Sequence, residues 1–341
     1  MSYVARREEM QQMYCSRNSH ARRHAGVASP KISPVSFMVR RTAYLTNMCN
    51  NTTNITDTSC RVKTLQGLAY IPLFLVGFLV NAAALRAFLA KRDSWTDTHI
   101  YMFNLAIADS TLILFLPFRI YDAFFCMPKS LLCTFLMYTH YINMYASILT
   151  TIAISVHRYL SIRFPLQARS WKQKKETAFA VCLFFWGLLV TICAIYRKEN
   201  YPEKLWTCYE RCKDQPLNLQ FVVIMIFLGF LTPLLIVVFC SSQIICILSK
   251  VDDKSEEKKS TIGIVTANMI VFIVCYTPIH VAFLVNHFHP PPPNWHSENT
   301  PAHVYLLVSE WIASTNCCFD SISYYFLLIR FYSQVTGSAN N

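Results

Sequence analysis

Charge is scarce along this chain. Asp, Glu, Lys and Arg make up 15% of its 341 residues against 54% hydrophobic residues, a balance too apolar for a soluble α/β domain of this length. The groupings from which enzymes build active sites are missing too. There is no Walker loop, no G-x-S-x-G, no H-E-x-x-H and no CxxC pair, which removes phosphate-cradling loops, nucleophile elbows and the common zinc and redox frames. The paired catalytic-acid motif of an intramembrane protease is lacking as well, so the chain does not read as an enzyme. Residues 1–63 contain no apolar core of signal-peptide length, and the two halves show no internal repeat of the kind transporters use.

What the chain does have is seven apolar runs, at about 65–90, 100–125, 131–156, 177–196, 221–248, 261–285 and 304–329, each long enough to span a hydrocarbon core of about 30 Å as a helix. An odd number of spans puts the termini on opposite sides. The connections holding Lys91, Arg92, Arg158, Arg163, Arg169, Lys172, Lys174, Lys175, Lys250, Lys254, Lys258, Lys259 and, in the tail, Arg330 are richer in cations than the opposite set with Arg119, Lys129, Arg197, Lys198, Lys204, Arg211 and Lys213. Cytoplasmic loops keep that excess, so the N-terminus is expected outside. The net charge of +12 then describes a basic rim facing membrane lipids, and nucleic acid is not an expected partner.

The third run organises the rest. Between Lys129 and Arg158 no residue is formally charged, and at about 1.5 Å per residue that interval spans roughly 42 Å. Thr139, His140, Asn143, Ser147, Thr150, Thr151 and Ser155 recur along it, and polar groups in hydrocarbon are costly unless neighbouring helices supply partners. It therefore reads as the central helix of an all-α bundle. His140, Met144, Ser147, Thr151, Ile154 and Arg158 fall on one face, so its two ends can be coupled through one rod.

Other polar residues stand out against their runs. Asn81 lies in the first span, Asp109 in the second, and Asn316 and Asp320 in the seventh, with Tyr324 one turn beyond. Intramembrane acids are expensive and usually functional. Two of them in one low-dielectric site require a proton or a hard cation such as Na⁺; hydrogen bonds that merely pin the helices are the alternative. Arg119 is either a snorkelling interface residue or a cation facing a pocket. Trp186 reads as packing. Pro117, Pro233 and Pro278 bend their helices and free carbonyls. In the outer connections NNTTNIT offers Asn50, Asn51 and Asn54 for glycosylation. HFHPPPPNWH is a stiff spacer whose histidines alone do not make a zinc site. Of fourteen Cys, Cys15, Cys49, Cys60, Cys126, Cys133, Cys208 and Cys212 lie outside the spans, and either Cys208 or Cys212 bonded to Cys133 would pin the fourth-to-fifth loop as a lid. The expected domains are an extracellular, disordered tail at 1–63, a membrane domain at 64–331 and a short cytoplasmic tail at 332–341 with Ser333, Thr336 and Ser338 as phosphorylation acceptors.

From Leu65 to about Phe331 the chain resembles a rhodopsin-like (class A) G-protein-coupled receptor. The carriers are Asn81, LAIAD with Asp109, Cys133, HRY with Arg158, Trp186, Pro233, CYTP with Pro278, and DSISY with Asp320 and Tyr324, occurring in order with one for each span plus the cysteine. Within that family IYMFNLAIAD, the LPF of span two, VCYTPIH and NCCFDSISYY look like the subgroup that responds to lysophosphatidylinositol or kynurenic-acid-like acids. The resemblance implies a seven-transmembrane helix bundle at the plasma membrane that binds an agonist at its outer mouth and couples to a heterotrimeric G protein, with arrestin as a further partner. It implies a Cys133–Cys208 disulfide, a sodium pocket at Asp109, Ser147, Asn316 and Asp320 with an allosteric Na⁺ and no other cofactor, and G-protein coupling through His157, Arg158, Tyr159 and Tyr324.

Three departures carry consequences. His157 stands where the family has Asp, Tyr276 where it has Trp, and Asp320-Ser321 where it has Asn-Pro. Losing the acid beside Arg158 implies raised basal signalling. For the ligand, Arg119, His140 and Arg197 supply cationic or protonatable groups, with Tyr141, Met144, Tyr276 and His280 as walls. Cations in a desolvated cleft favour an anion, since the Arg fork binds two oxygens. Met144 stands where the acid-metabolite branch would have Arg, so a lysophospholipid is expected first and a small aromatic acid second. A non-signalling scavenging receptor and an ion-coupled transporter are the rival classes.

Overall fold

The computed structural model describes residues 57–90, 92, 95–125, 127–166, 175–202, 205, 207–211, 217–251, 255–289 and 301–339, with side chains omitted at 57–62, 199–200, 257 and 324–339. Among the described residues the chain forms seven long helices: α1 (Asp57–Ala90), α2 (Asp97–Phe125), α3 (Leu131–Arg163), α4 (Lys175–Ile195), α5 (Leu219–Lys250), α6 (Glu256–Phe288) and α7 (Pro301–Ala339). In hydrocarbon every backbone polar group needs an internal partner, and a helix supplies one within each segment. Each expected apolar run lies within one helix, except that Tyr196 follows α4 in a turn. Helical hydrogen bonding also continues past the apolar runs. α1 begins at Asp57 and α7 continues to Ala339, so the borders drawn at 63/64 and 331/332 fall inside helices.

α1, α2, α4, α5 and α6 are long and apolar enough to cross a membrane. α3 falls short of that apolarity because of the Thr, Ser, Asn and His residues that marked it as central, and it packs against α2, α4 and α5. α7 packs against α1, α2 and α6. The outward faces carry bare apolar side chains such as Leu79, Leu114, Leu183, Phe184 and Leu235, the arrangement expected of a surface that meets lipid.

Side-chain hydrogen bonds tie the helices inside. Asn81 donates to the Gly77 and Cys317 carbonyls and accepts from Ser321, joining α1 to α7. Asn104 donates to the Thr150 hydroxyl at 2.8 Å and accepts from the Trp186 indole at 2.9 Å. Trp186, read as packing, is thus also a hydrogen-bond donor across α2, α3 and α4.

α5 is not a uniform α-helix: Ile224–Leu231 is π-helical, ending two residues before Pro233. The extra residue there re-aims the following turns, as π segments do.

Cys133 at the start of α3 is bonded to Cys208. The segment around Cys208 folds back on itself, with Leu205 and Arg211 forming an antiparallel bridge. Leu205, Cys208 and Tyr209 pack on Cys133, Leu136 and Met137. The lid expected from such a bond is present, with Cys208 as the partner. Asn50, Asn51, Asn54, Cys15, Cys49, Cys126 and Cys212 lie outside the described residues, as do the side chains of Cys60 and Tyr324.

Candidate functional site

At the disulfide end, α2 carries Arg119 two residues beyond Pro117 and turns it inward. Arg119 is 5% exposed and ion-paired with Glu310 of α7. Its guanidinium also sits 5.0 Å from the centre of the Tyr70 ring of α1 and 5.2 Å from that of Tyr209 on the lid. Of the two readings left open for Arg119, the pocket-facing one fits this burial. The cation is not unpartnered, however. Arg119 Nε is buried with no hydrogen-bond partner, so the guanidinium keeps a donor in reserve.

Further charges ring this cleft. Glu210 of the lid lies 3.5 Å from Lys63 Nζ of α1 and 3.4 Å from His303 Nε2 of α7. Asp122 accepts from the Met127 backbone at 2.8 Å. Lys63, Gln66, Arg119, Asp122, Tyr209 and Glu210 line about 270 Å³ of open space. Arg197, grouped with Arg119 on sequence grounds, instead stands exposed on the 3₁₀ turn Arg197–Asn200 and is not among that lining. Glu310, Tyr70, Tyr209 and Glu210 were not legible as site residues, although Glu310 carries the signal that marked Asp109: an acid inside an apolar run.

Deeper in the bundle, His140, Met144 and Tyr276 from the ligand set line one narrow cavity together with Asp109, Ser147 and Asn316 from the sodium set. Two sites separated on sequence grounds thus share walls. Ser147 donates to Asp109 Oδ1 at 3.2 Å, while Asp109 Oδ2 is buried without a hydrogen-bond partner. Asn316 Nδ2 donates to Asp320 and to the Tyr276 hydroxyl oxygen, the latter at 2.8 Å.

Beside that cavity His280 is 1% exposed and stacks on Phe230 with ring centres 4.3 Å apart. Its Nδ1 donates to the Tyr276 carbonyl at 2.7 Å, which leaves Nε2 of the neutral ring to accept from the Tyr145 hydroxyl at 3.1 Å. Tyr141 lies edge-on to His140 and reaches Phe283 of α6 at 6.1 Å. Tyr145 had no sequence signal, yet it joins α3 to α6.

At the other end of α3, Arg158 lines about 550 Å³ of open space with Thr151, Ser155, Asn268, Asn316 and Asp320. Asn316 therefore borders both this space and the upper cavity. Tyr159 packs edge-on against Phe239 of α5 at 5.7 Å. His157 reaches α2 instead: Nδ1 lies 3.2 Å from the Thr98 hydroxyl and Nε2 3.8 Å from Asp97. An acid does stand beside His157, contributed by another helix.

Against known proteins, residues 80–324 match the 7 transmembrane receptor (rhodopsin family) model. The chain is 32% identical over 264 residues to G-protein coupled receptor 35 of Mus musculus, covering 76% of this chain and 83% of that one. It is 31% identical over 287 residues to G-protein coupled receptor 55 of Homo sapiens, with 80% and 88% covered. It is 29% identical over 299 residues to lysophosphatidic acid receptor 4 of Mus musculus, with 84% and 80% covered. The helical bundle, the pinned lid, the central polar helix and these matches agree: the chain belongs to the rhodopsin-like family of seven-transmembrane receptors, a multi-pass G-protein-coupled receptor and not an enzyme.

Proposed function

We propose that this receptor is activated by an anionic extracellular ligand, a lysophospholipid in preference to a small aromatic acid, bound at the disulfide end of the bundle with the N-terminus on the same side. The carrying observation is Arg119, a 5% exposed guanidinium at the cleft with one N–H unpartnered. A buried guanidinium with a spare donor suits a phosphate or carboxylate, which can accept two of its hydrogen bonds in place of water. Met144, lining the deeper cavity, adds an apolar, adaptable wall towards which an acyl chain would extend. The relative named lysophosphatidic acid receptor 4 supports the same class.

Occupancy would be felt along α3 and α6. His140 and Met144 share their cavity with Tyr276 of α6, and Tyr276 is one bond from Asn316, which borders the Arg158 space. Rearrangement at Tyr276, two residues before the Pro278 bend, would swing the far end of α6 and admit the G protein to Arg158, Tyr159 and Tyr324. Arrestin would use the same opening.

Na⁺ fits the acid pair on chemical grounds. Asp109 has a buried oxygen without a hydrogen bond, Ser147 adds a hydroxyl, and oxygen donors suit a hard cation. Bound there, the ion would supply positive charge between α2, α3 and α7.

The test is a G-protein dissociation assay with lysophosphatidic acid, lysophosphatidylinositol and kynurenic acid. Removing a buried charge partner of the ligand by Arg119→Ala is expected to lower the potency of the active anion by about thirtyfold or more. Unchanged potency at normal surface expression would sink the pocket assignment. Uptake without dissociation would favour the scavenging or transporter class.

A further inference from the structure

The cation expected to greet an anionic ligand already holds an anion. We infer that Glu310 is a built-in competitor, an intramolecular stand-in for the ligand's acid group that the agonist must displace from Arg119. This deepens the reading of the cleft as an anion site and rests on it.

The geometry has three parts. The pair is sequestered, with side chains 6% and 8% exposed, and a charge so placed is held only by its partner, because water cannot take over. Glu310 uses NH2 of the guanidinium, while Nε faces no acceptor. An entering phosphate or carboxylate could therefore bind at Nε before Glu310 lets go, so the exchange never leaves the cation bare. Finally, the pair bridges two helices: Arg119 is on α2 and Glu310 on α7, one turn before Ser314, which accompanies Asp109 and Asn316 around the upper cavity. Displacing Glu310 would release α7 from α2 directly above the Asp109–Asp320 region.

A consequence for specificity follows. A ligand with a single weakly accepting group gains nothing by replacing a carboxylate that already fits. One whose acid can accept from two guanidinium nitrogens, as a phosphate monoester or carboxylate can, offers more bonds than Glu310 makes. Glu310 would thereby reject neutral lipids and set the threshold for acids.

Two measurements on the full chain test this. In the first, Glu310→Gln is assayed by G-protein dissociation with lysophosphatidic acid, lysophosphatidylinositol and kynurenic acid. Loss of the competitor is expected to raise the potency of the active anion about tenfold, the scale at which a 1.4 kcal/mol advantage reads out, or to produce a response where the wild type is silent. Glu310→Asp should fall between the two. Lower or unchanged potency at wild-type surface expression would overturn the inference while leaving the anion-site reading standing, since that reading depends on Arg119→Ala. In the second, needing no agonist, thermal melting is followed in nanodiscs with added acetate or inorganic phosphate. Glu310→Gln should melt lower than wild type and be restored by either anion, and Arg119→Ala/Glu310→Gln should not respond. If Glu310→Gln cannot be purified, Glu310→Asp takes its place. A Glu310 variant insensitive to both anions would show that the guanidinium accepts no exogenous acid and would end the proposal.

Discussion

Single side chains decide how tightly the upper bundle closes. Gly229, in the π-helical part of α5, lies against the ring of Tyr145, and a Cβ there would come 2.5 Å from Tyr145 Cε1. That ring cannot simply swing aside, because its hydroxyl is hydrogen-bonded to His280. Gly→Ala inside a helix ordinarily gains about 1 kcal/mol, but overpacking a filled core costs about 1–3 kcal/mol. The clash should win, so Gly229→Ala is expected to lower the melting temperature of the detergent-purified receptor; an unchanged or higher value would show that the ring relocates freely. Nothing around Gly229 in the chain announces Tyr145. By contrast Asn81, Asp109, Ser147 and Asn316 were legible because a polar residue inside an apolar run is anomalous wherever it finally points. Ser321 shows the limit of motif reading: it departs from the family's proline, and its hydroxyl bonds Asn81 across to α1.

Among the elements, α3 came through whole. Its expected centrality rested on recurrent polar residues, and Asn143, Ser147 and Thr150 are buried as that reading requires. The acid cluster links three elements, with Asp109 on α2, Ser147 on α3, and Asn316 and Asp320 on α7. A cation bound among them would hold the folded bundle together, and at tenfold above its dissociation constant such a ligand stabilises by about 1.4 kcal/mol. NaCl is therefore expected to raise the melting temperature relative to equimolar choline chloride, and Asp109→Asn to abolish the difference. Equal melting of wild type and variant in both salts would exclude the site. The π segment of α5 was not legible, since no residue pattern distinguishes it from the α-helical turns on either side; its neighbour Pro233 was read as a bend only.

For the whole molecule the open quantity is orientation. The basic residues gather on connections at the Arg158 end, and the charge bias of cytoplasmic loops predicts that end to be inside. Epitope tags at the two termini of the full chain, stained on intact and then permeabilised cells, should report the N-terminal tag from outside and the C-terminal tag only after permeabilisation. Both tags on one side would break the assignment of the Arg119 cleft to extracellular ligands. The outward-facing leucines and phenylalanines along α1, α4 and α5 belong to the same scale, since they make sense only with lipid around the bundle.

The sequence by itself determined the number of spans, the central helix and the ends at which the disulfide and Arg158 lie, because each is a local matter of apolar length, buried polarity and chain order. Only the tertiary structure decided that Arg119 meets Glu310, that His157 meets Asp97 and that Tyr145 meets His280. Those pairings depend on how each helix is rotated about its axis. In water an amphipathic stripe betrays that rotation, but here the faces towards lipid and towards neighbouring helices are both largely apolar. Close packing and a few interhelical hydrogen bonds set the rotation instead, and those contacts exist only once all seven helices are in place.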